Sequence, residues 1–311
     1  MSAVSTTPPE GRPDDAPSSH APTSTAPVSP VPTFAPPPNY AVVRPTAPSV
    51  PPPRRPPEQP PPGIHWGIPD AVIVTLLLPL MISLGIGYLL LRLPSQQGPF
   101  DFVSGVLAYG VLIAALVFVS RRRGLGSLRA DFGLAVRPVD IAIGLGIAVV
   151  VRILTFVEGL VVVAIAGKGP TRSNVDFGHD PLWFAVNGIL IGVLLGPFAE
   201  ELLFRGLVLR AVRWAILRGP RKAPRPQPAE PSIRTRAAVV AVLVSGAGFA
   251  AMHLYEAIGD PVLLVTLGLF TLTVGLAHGL ITVATGRLGP AMFAHAFFNG
   301  STLLFTLLLR R

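Results

Sequence analysis

The chain has 311 residues, of which 50% are hydrophobic and 13% charged, and its mean hydropathy is +0.58. This balance lies outside the usual range of a soluble globular domain and favours a bilayer as the solvent. The sequence contains no cysteine, which excludes disulfides, thiolate metal sites and a cysteine nucleophile. The net charge of +9 comes mostly from arginines between apolar runs, so we interpret it as a topology signal and predict no nucleic-acid partner.

The N-terminal region differs in composition from the rest. Residues 1–65 are rich in Pro, Ala, Ser and Thr, and they include runs of three prolines at 51–53 and 60–62. Such a segment buries too little apolar surface to offset its ordering entropy, so we predict a disordered tail with local polyproline II character. The first apolar run begins near Ile68, too late for a cleavable signal peptide. We therefore divide the chain into a tail, 1–65, and a membrane domain, 66–311.

The membrane domain is predicted to be an all-α, polytopic bundle of transmembrane helices. Its apolar runs of about twenty residues are long enough, at 1.5 Å per residue, for a hydrocarbon core of roughly 30 Å. We predict about seven spans, within one, and Pro197 gives the long fourth span a natural kink. The predicted spans are 69–92, 100–120, 138–166, 182–217, 236–256, 261–285 and 290–309.

The loops indicate an orientation. Two alternate loops are rich in Arg and Lys, whereas in the loop between them Lys168 and Arg172 are balanced by Asp176 and Asp180. The positive-inside rule then places both basic loops and the N-terminal tail in the cytoplasm of a multi-pass cell-membrane protein. The basic loop residues are Arg121, Arg122, Arg123, Arg129 and Arg137 in one loop, and Arg218, Arg221, Lys222, Arg225, Arg234 and Arg236 in the other.

Ionisable groups interrupt the apolar fourth span. Such groups cost several kcal/mol inside a membrane unless they are paired or hydrated, so each is a candidate functional residue. Glu201 and Arg205 lie four residues apart on one helix face and can form an ion pair. Glu200 is rotated about 100° from Glu201, which leaves it free to face the bundle interior as a candidate general base.

The fifth and seventh spans add two imidazoles and an amide, His253, His295 and Asn299. Glu200 and His253 could hold and deprotonate a water, while His295 and Asn299 stabilise the oxyanion of a tetrahedral intermediate. Alternatively, Glu200, His253 and His295 could ligate a zinc ion that activates the same water. The residues leave open whether the cofactor is zinc or none. We interpret His278, Arg152 and Glu158 as partners of neighbouring helices or of the interface.

Depth along the spans conflicts with this four-residue site. Counted from the predicted cytoplasmic ends at 1.5 Å per residue, Glu200 and His253 lie at roughly 25 Å but His295 at roughly 8 Å. Either the span boundaries differ from those predicted, or the turn at 287–290 dips into the membrane. Irregular backbone is tolerated at that depth only where it is buried in protein or lines a water-filled cavity.

Three spaced motifs resemble the CPBP family, the CAAX protease and bacteriocin-processing intramembrane endopeptidases also called the Abi family. The family pattern is Glu-Glu-x-x-x-Arg, then Phe-x-x-x-His, then His-x-x-x-Asn or His-x-x-x-Asp. The matching segments here are 200–205, 249–253 and 295–299, and the resemblance covers about residues 138–309. Family members typically have about eight spans. The Ala, Pro and Arg usage without cysteine is typical of a bacterial chain of high genomic GC content.

The resemblance implies peptide-bond hydrolysis within the membrane. It implies that Glu200 is the base, that His253 shares the water, and that His295 and Asn299 form the oxyanion hole. The expected partners are the lipid bilayer and a membrane-embedded or lipidated peptide or protein substrate; the prenylated C-terminal tripeptides of the eukaryotic branch are not transferred to this chain. Supporting roles fall to Glu201, Arg205 and Phe249.

Two other classes of function remain open at this point. A catalytically silent member of the family would serve as a membrane scaffold or immunity protein. A proton-coupled transporter would use the intramembrane Glu, His and Arg as a relay, but it predicts matching halves with broken helices, and the sequence shows no such symmetry.

Overall fold

The computed structural model describes residues 61–77, 80, 97–173, 180–220 and 229–309. All of these residues belong to one compact unit, Pro52–Arg311. Within these ranges every regular element is a helix, which confirms the predicted all-α class. Residues 1–60 of the predicted tail and most of the predicted first span lie outside the described residues.

Eight helices make up the described part of the chain. Six of them, α2 and α4 to α8, are long and apolar enough to cross a membrane, with lengths from 20 to 38 residues. Twenty residues at 1.5 Å each span about 30 Å, the thickness of the hydrocarbon core. The helices are α1 (Ile68–Val72, continued by a π-helical turn at Ile73–Leu77), α2 (Gln97–Arg123), α3 (Leu128–Phe132), α4 (Val139–Ala166), α5 (Pro181–Arg218), α6 (Pro231–His253, continued by a 3-10 turn at Leu254–Ala257), α7 (Pro261–Thr285) and α8 (Gly289–Leu309).

Two of the spanning helices begin with an Asp-Pro pair. Asp180 and Asp260 each accept, through Oδ1, hydrogen bonds of 2.9 to 3.0 Å from two backbone N–H groups of the first turn of α5 and α7. Pro181 and Pro261 follow directly, at a position where the fixed φ suits the helix and the missing N–H leaves no bond unmade. The Asp-Pro pairs therefore set where these two helices start.

The outer faces of the spanning helices are apolar. On α4, for example, Phe156 is 65% exposed and Ile165 is 82% exposed. Large exposed apolar faces are a liability in water but are matched to lipid tails. Glu201, Arg205 and His278 are instead buried between helices. The bundle is thus apolar outside and polar at its centre, as expected of a multi-pass membrane protein.

Hydrogen bonds between loops define two ends of the bundle. At one end, the N–H of Gly289 donates to the carbonyl of Ala135 at 3.1 Å. At the other, the N–H and the hydroxyl of Thr171 both donate to Asp260, each at 2.7 Å.

We call the first end the basic end, because Arg123, Arg129, Arg137 and Arg218 lie there, and the second the opposite end. The segment 133–140 is fixed to the basic end of α8 by a further contact, since the guanidinium of Arg287 pairs with the buried carboxylate of Asp140 at 2.5 Å.

Asp260 and Asp180 form a matched pair for testing the tie between loops. Both cap a helix, but Asp260 also binds Thr171, and the N–H of Leu263 followed by the two donors of Thr171 holds the pKa of Asp260 below its ordinary range. A carboxylate with a lowered pKa stabilises the folded state fully at any pH above its pKa in the unfolded state. This stabilisation is lost only as the pH falls through the lower pKa of the folded state, so it is fully present at neutral pH.

We therefore expect Asp260→Ala to lower the thermal unfolding midpoint of the micelle-solubilised protein more than Asp180→Ala. The latter change removes a cap alone, a loss of about 1 kcal/mol. The measurement is intrinsic tryptophan fluorescence during heating, because Trp66 and Trp214 are both buried. Equal midpoints for the two variants would show that the loop contact contributes nothing.

Candidate active site

Four side chains from three helices line one cavity of about 510 Å³. They are Glu200 on α5, His253 at the end of α6, and His295 and Asn299 on α8, the four residues proposed from the sequence. The cavity extends to Tyr255 in the turn after α6, where this side chain is 69% exposed at the opposite end of the bundle. The structure thus brings the four predicted residues together on a space that reaches the protein surface.

Glu200 is contacted from two sides. Its Oε1 accepts a hydrogen bond of 2.9 Å from the hydroxyl of Tyr109 on α2, and its Oε2 lies 3.7 Å from Nε2 of His295. The side chain keeps 16% of its surface exposed. One water molecule can therefore contact both the carboxylate and the imidazole.

Glu201 faces away from the cavity and is completely buried. Its Oε1 accepts hydrogen bonds of 2.9 Å from Nδ1 of His278 and from Nδ1 of His295, and Nη1 of Arg205 lies 3.2 Å from the same oxygen. The guanidinium also donates to the carbonyl of Gly275 at 3.1 Å. The ion pair expected between Glu201 and Arg205 is present, and the interpretation of His278 as a partner of a neighbouring helix is confirmed.

These contacts determine which nitrogen of each catalytic candidate carries hydrogen. A carboxylate or a carbonyl can only accept, so Nδ1 of His295 donates to Glu201 and Nδ1 of His253 donates to the carbonyl of Phe249 at 2.8 Å. In the neutral imidazoles, the lone pair is then on Nε2. Both histidines therefore present Nε2 as the nitrogen available to a reacting group.

Asn299 is oriented by the backbone of α5. Its Nδ2 donates to the carbonyl of Gly192 at 2.8 Å. An amide nitrogen carries two hydrogens, so the second N–H and the carbonyl oxygen of the side chain are left for other partners. Asn299 can therefore still donate one hydrogen bond within the cavity.

The α5 helix changes its winding on both sides of the two glutamates. Asn187–Leu195 and Leu202–Val208 are π-helical, and the α-helical turn between them, Gly196–Glu201, contains Pro197. Proline has no N–H to continue the regular bonding, and π-helical turns are frequent at functional sites. The first π segment supplies the carbonyl that orients Asn299.

Phe249 is the central aromatic contact of the site. Its ring lies 4.5 Å from that of His253 and 5.6 Å from that of His295, the latter edge-to-face. Cζ of Arg205 lies 4.6 Å from the centre of the same ring. These contacts limit how the two imidazoles can tilt, which is the geometry expected of the supporting residue predicted from the sequence.

Glu200 and His295 lie at one level because α5 extends past the neighbouring turn. Nη2 of Arg210 donates to the carbonyl of Gly286 at 2.9 Å, so this turn lies beside Arg210 and not beside Arg218, the last residue of α5. Counted from these two aligned residues, Glu200 lies about 15 Å and His295 about 14 Å along their helices. The depth conflict predicted from the sequence arose from counting from helix ends that lie at different levels.

Tyr109 and Arg152 line the cavity but were not assigned to the site from the sequence. Tyr109 lies in a long, mostly apolar helix and belongs to no motif that would reveal its contact with Glu200. Arg152, interpreted as a partner of neighbouring helices, does bond Ser301 and Thr302 on α8, and it also lines the cavity. Glu158, interpreted in the same way, does bond a neighbouring helix, since it accepts a 2.5 Å hydrogen bond from Thr273.

One group of buried ligands satisfies the spacing of a metal site among the described residues. Glu201, His278 and His295 have ligand atoms within 4.8 Å of one another. Those atoms already bond each other directly at 2.9 Å, and the Arg205 guanidinium lies beside the same oxygen. A cation there would have to break both bonds next to a positive charge, so these residues do not fit a metal ion.

The residues of the predicted zinc set share the cavity, but their ligand atoms do not all lie within 4.8 Å of one another. Glu200, His253 and His295 offer a carboxylate and two Nε2 atoms on one cavity. Each imidazole is anchored through Nδ1, by a carbonyl or a carboxylate, as is usual for zinc-binding histidines.

The six spanning helices and the polar centre define a multi-pass membrane protein with a site suited to hydrolysis. A family model described as Type II CAAX prenyl endopeptidase Rce1-like matches residues 181–301, which contain all three motifs. Over this region the chain is similar to the CAAX protease family of membrane peptidases, and the match supports the family that the motifs predicted. The match begins at α5, whereas the sequence resemblance was placed from residue 138. No curated protein and no solved structure matches the chain.

Adjacent glutamates with different surroundings should respond differently to the same substitution. Glu201→Gln leaves the buried Arg205 without its counter-charge, and removing one partner of a buried ion pair costs about 3–5 kcal/mol. Glu200→Gln keeps an acceptor for Tyr109 in a partly exposed position, so we expect a much smaller change. Thermal unfolding of both variants in the same detergent measures this difference, and a larger loss for Glu200→Gln would reverse the assignment.

Proposed function

We propose that the protein is an intramembrane endopeptidase that hydrolyses a peptide bond in a membrane-embedded or lipidated peptide or protein. The observation that carries this proposal is the 3.7 Å approach of Glu200 and His295 on a cavity that His253 and Asn299 also line. The match of residues 181–301 to the CAAX protease family supports peptide hydrolysis as the reaction.

Glu200 is the proposed general base. A water held between Glu200 and Nε2 of His253 gives a proton to the carboxylate as its oxygen attacks the carbonyl carbon of the substrate. The proton then passes to the amide nitrogen as the carbon–nitrogen bond breaks, which releases an amine and a carboxylate. The Tyr109 hydroxyl, 2.9 Å from Oε1, orients the carboxylate for this transfer.

His295 and Asn299 are the proposed donors to the oxyanion. Because Nδ1 of His295 donates to Glu201, Nε2 can donate to the oxyanion only when the ring is an imidazolium. The free N–H of the Asn299 amide provides a second donor. Glu201, Arg205 and Phe249 act by holding these groups in place.

Zinc is the alternative arrangement for the same residues. Glu200 and the Nε2 atoms of His253 and His295 would have to move closer together to hold the ion, which would supply an acidified water. In that arrangement Tyr109 and Glu201 keep the ligands oriented through the hydrogen bonds they already make.

The reaction can be tested with purified full-length protein in lipid nanodiscs and a library of membrane peptides, with the products identified by mass spectrometry. We expect Glu200→Gln and His253→Ala to lower cleavage by about a hundredfold or more, the usual contribution of a general base. Thermal unfolding of each variant provides the folding control. Cleavage that survives both substitutions contradicts the assigned site, and the absence of Glu200-dependent products from the wild type favours a silent scaffold or a transporter.

A chelator separates the two mechanisms in the same assay. A zinc enzyme loses activity when the ion is removed and recovers it when zinc is restored, whereas a glutamate-base enzyme keeps its activity.

We also propose that the basic end of the bundle and the N-terminal tail lie in the cytoplasm. Arg123, Arg129, Arg137 and Arg218 all lie at this end, and the contact between Gly289 and Ala135 fixes the turn before α8 to the same end. An excess of Arg and Lys in short loops favours retention on the cytoplasmic side.

The cysteine-free sequence makes this orientation measurable with single introduced cysteines. In intact cells, a membrane-impermeant maleimide should label Lys168→Cys at the opposite end and leave Arg129→Cys at the basic end unlabelled. Opening the cells should expose Arg129→Cys to the reagent. The reverse pattern would mean that the basic end is outside.

A further inference from the structure

Arg152 places a positive charge near the middle of α4, thirteen residues from its start at Val139. At 1.5 Å per residue it lies about 20 Å from either helix end, at a depth where an uncompensated charge is costly. Its side chain lines the same cavity as Glu200 and Asn299. The family motifs do not include this residue.

The guanidinium is held entirely by neutral groups of the described chain. Nε donates to the hydroxyl of Ser301 at 3.2 Å, and Nη2 donates to the carbonyl of Phe298 and the hydroxyl of Thr302, each at 2.6 Å, and to Ser301 at 2.8 Å. Cζ also lies 3.8 Å from the centre of the Phe298 ring. These contacts fix the plane of the guanidinium against α8 but leave its charge uncompensated.

Arg205 provides the contrast within the same bundle. That guanidinium is completely buried and lies against the carboxylate of Glu201. Nη1 of Arg152 makes no hydrogen bond within the described chain and is not sealed from solvent, whereas Nη1 of Arg205 is sealed. The Arg152 side chain lines the cavity, so the two N–H groups of Nη1 remain for a ligand bound there.

The other ionisable groups that line the cavity near Arg152 include two carboxylates. Glu200 and Glu256 both line it, and their carboxylates repel a substrate that carries a negative charge. A guanidinium with an open edge attracts a carboxylate and binds it with charge-assisted hydrogen bonds.

The contacts of Arg152 on α8 show how far its guanidinium lies from His295, where the peptide bond would be cleaved. It contacts Phe298, Ser301 and Thr302, three to seven residues beyond His295 on α8, which is about 5 to 10 Å along the helix. An extended peptide advances about 3.3 Å per residue, so this distance corresponds to about two or three substrate residues.

We propose that Arg152 is a specificity residue that binds a carboxylate of the peptide substrate about two or three residues from the scissile bond. This inference rests on the proposed peptidase function of the same cavity. The carboxylate can come from the C-terminus of the substrate or from an Asp or Glu side chain, and both sources present the same two oxygens.

Three pools of short palmitoylated peptides with otherwise identical neutral sequences distinguish the sources. The first pool ends in a free carboxylate, the second in a C-terminal amide, and the third has the amide end and one internal Asp at varied positions. Hydrolysis of each pool by the full-length protein in nanodiscs is compared for wild type, Arg152→Gln and Arg152→Lys. Arg210→Gln, an arginine of α5 outside the cavity, is the matched control.

We expect the wild type to prefer one carboxylate pool over the neutral pool by about tenfold or more, as for hydrogen bonds to charged groups. Arg152→Gln should abolish the preference through slower cleavage of the carboxylate pool alone, Arg152→Lys should retain part of it, and Arg210→Gln should leave the ratio unchanged. A preference for the first pool identifies the C-terminus as the ligand, and one for the third identifies a side chain. No preference in the wild type, or an equal loss on all pools in Arg152→Gln, overturns the proposal.

Binding of the same pools to Glu200→Gln, measured by fluorescence anisotropy of labelled peptides, separates this proposal from the peptidase function. Arg152-dependent binding of a carboxylate pool without hydrolysis by the wild type would retain the carboxylate site and reject the peptidase. Hydrolysis by the wild type without an Arg152-dependent preference would retain the peptidase function and reject the carboxylate site. Binding that is equal for charged and neutral pools overturns the carboxylate site whatever the activity.

Discussion

A single oxygen atom, Oε1 of Glu201, accepts hydrogen bonds from His278 of α7 and His295 of α8, and the guanidinium of Arg205 lies 3.2 Å away. Three helices thus meet at one buried negative charge, whose desolvation is tolerable only while its partners remain in place. The helical twist directs the carboxylate of the preceding residue, Glu200, toward the cavity. The carboxylate of Glu201 thus links three helices, whereas that of Glu200 lines the cavity and bonds only Tyr109 among the hydrogen-bond partners described.

Much of this centre could be predicted because it follows from local helix geometry. The pairing of Glu201 with Arg205 needs only a spacing of four residues, and the separate direction of Glu200 needs only the twist of one residue. The contacts of Tyr109 and His278 could not be predicted in this way. They depend on which helices are neighbours, and no periodicity within one apolar helix specifies its partner.

The relative levels of the helices could not be predicted for a similar reason. Hydropathy defines how long an apolar run is, but not how far its helix projects past an adjacent turn. The contact of Arg210 with Gly286 shows that α5 continues for eight residues beyond this turn, from 210 to 218. The π-helical segments around Glu200 were equally hidden, since the residues of Asn187–Leu195 also suit an α-helix. Apolar composition thus determined the class of fold, and loop contacts determined its alignment.

The cavity is asymmetric along the bundle. Its lining comes from the half nearer the opposite end, where exposed Tyr255 marks its rim, and His253 is the last residue of α6 before that rim. In the proposed orientation, peptide fragments released by the proposed activity would leave by this rim on the side of the membrane opposite the cytoplasm. Proteolysis would then be vectorial, with its products separated from the cytoplasm by the membrane.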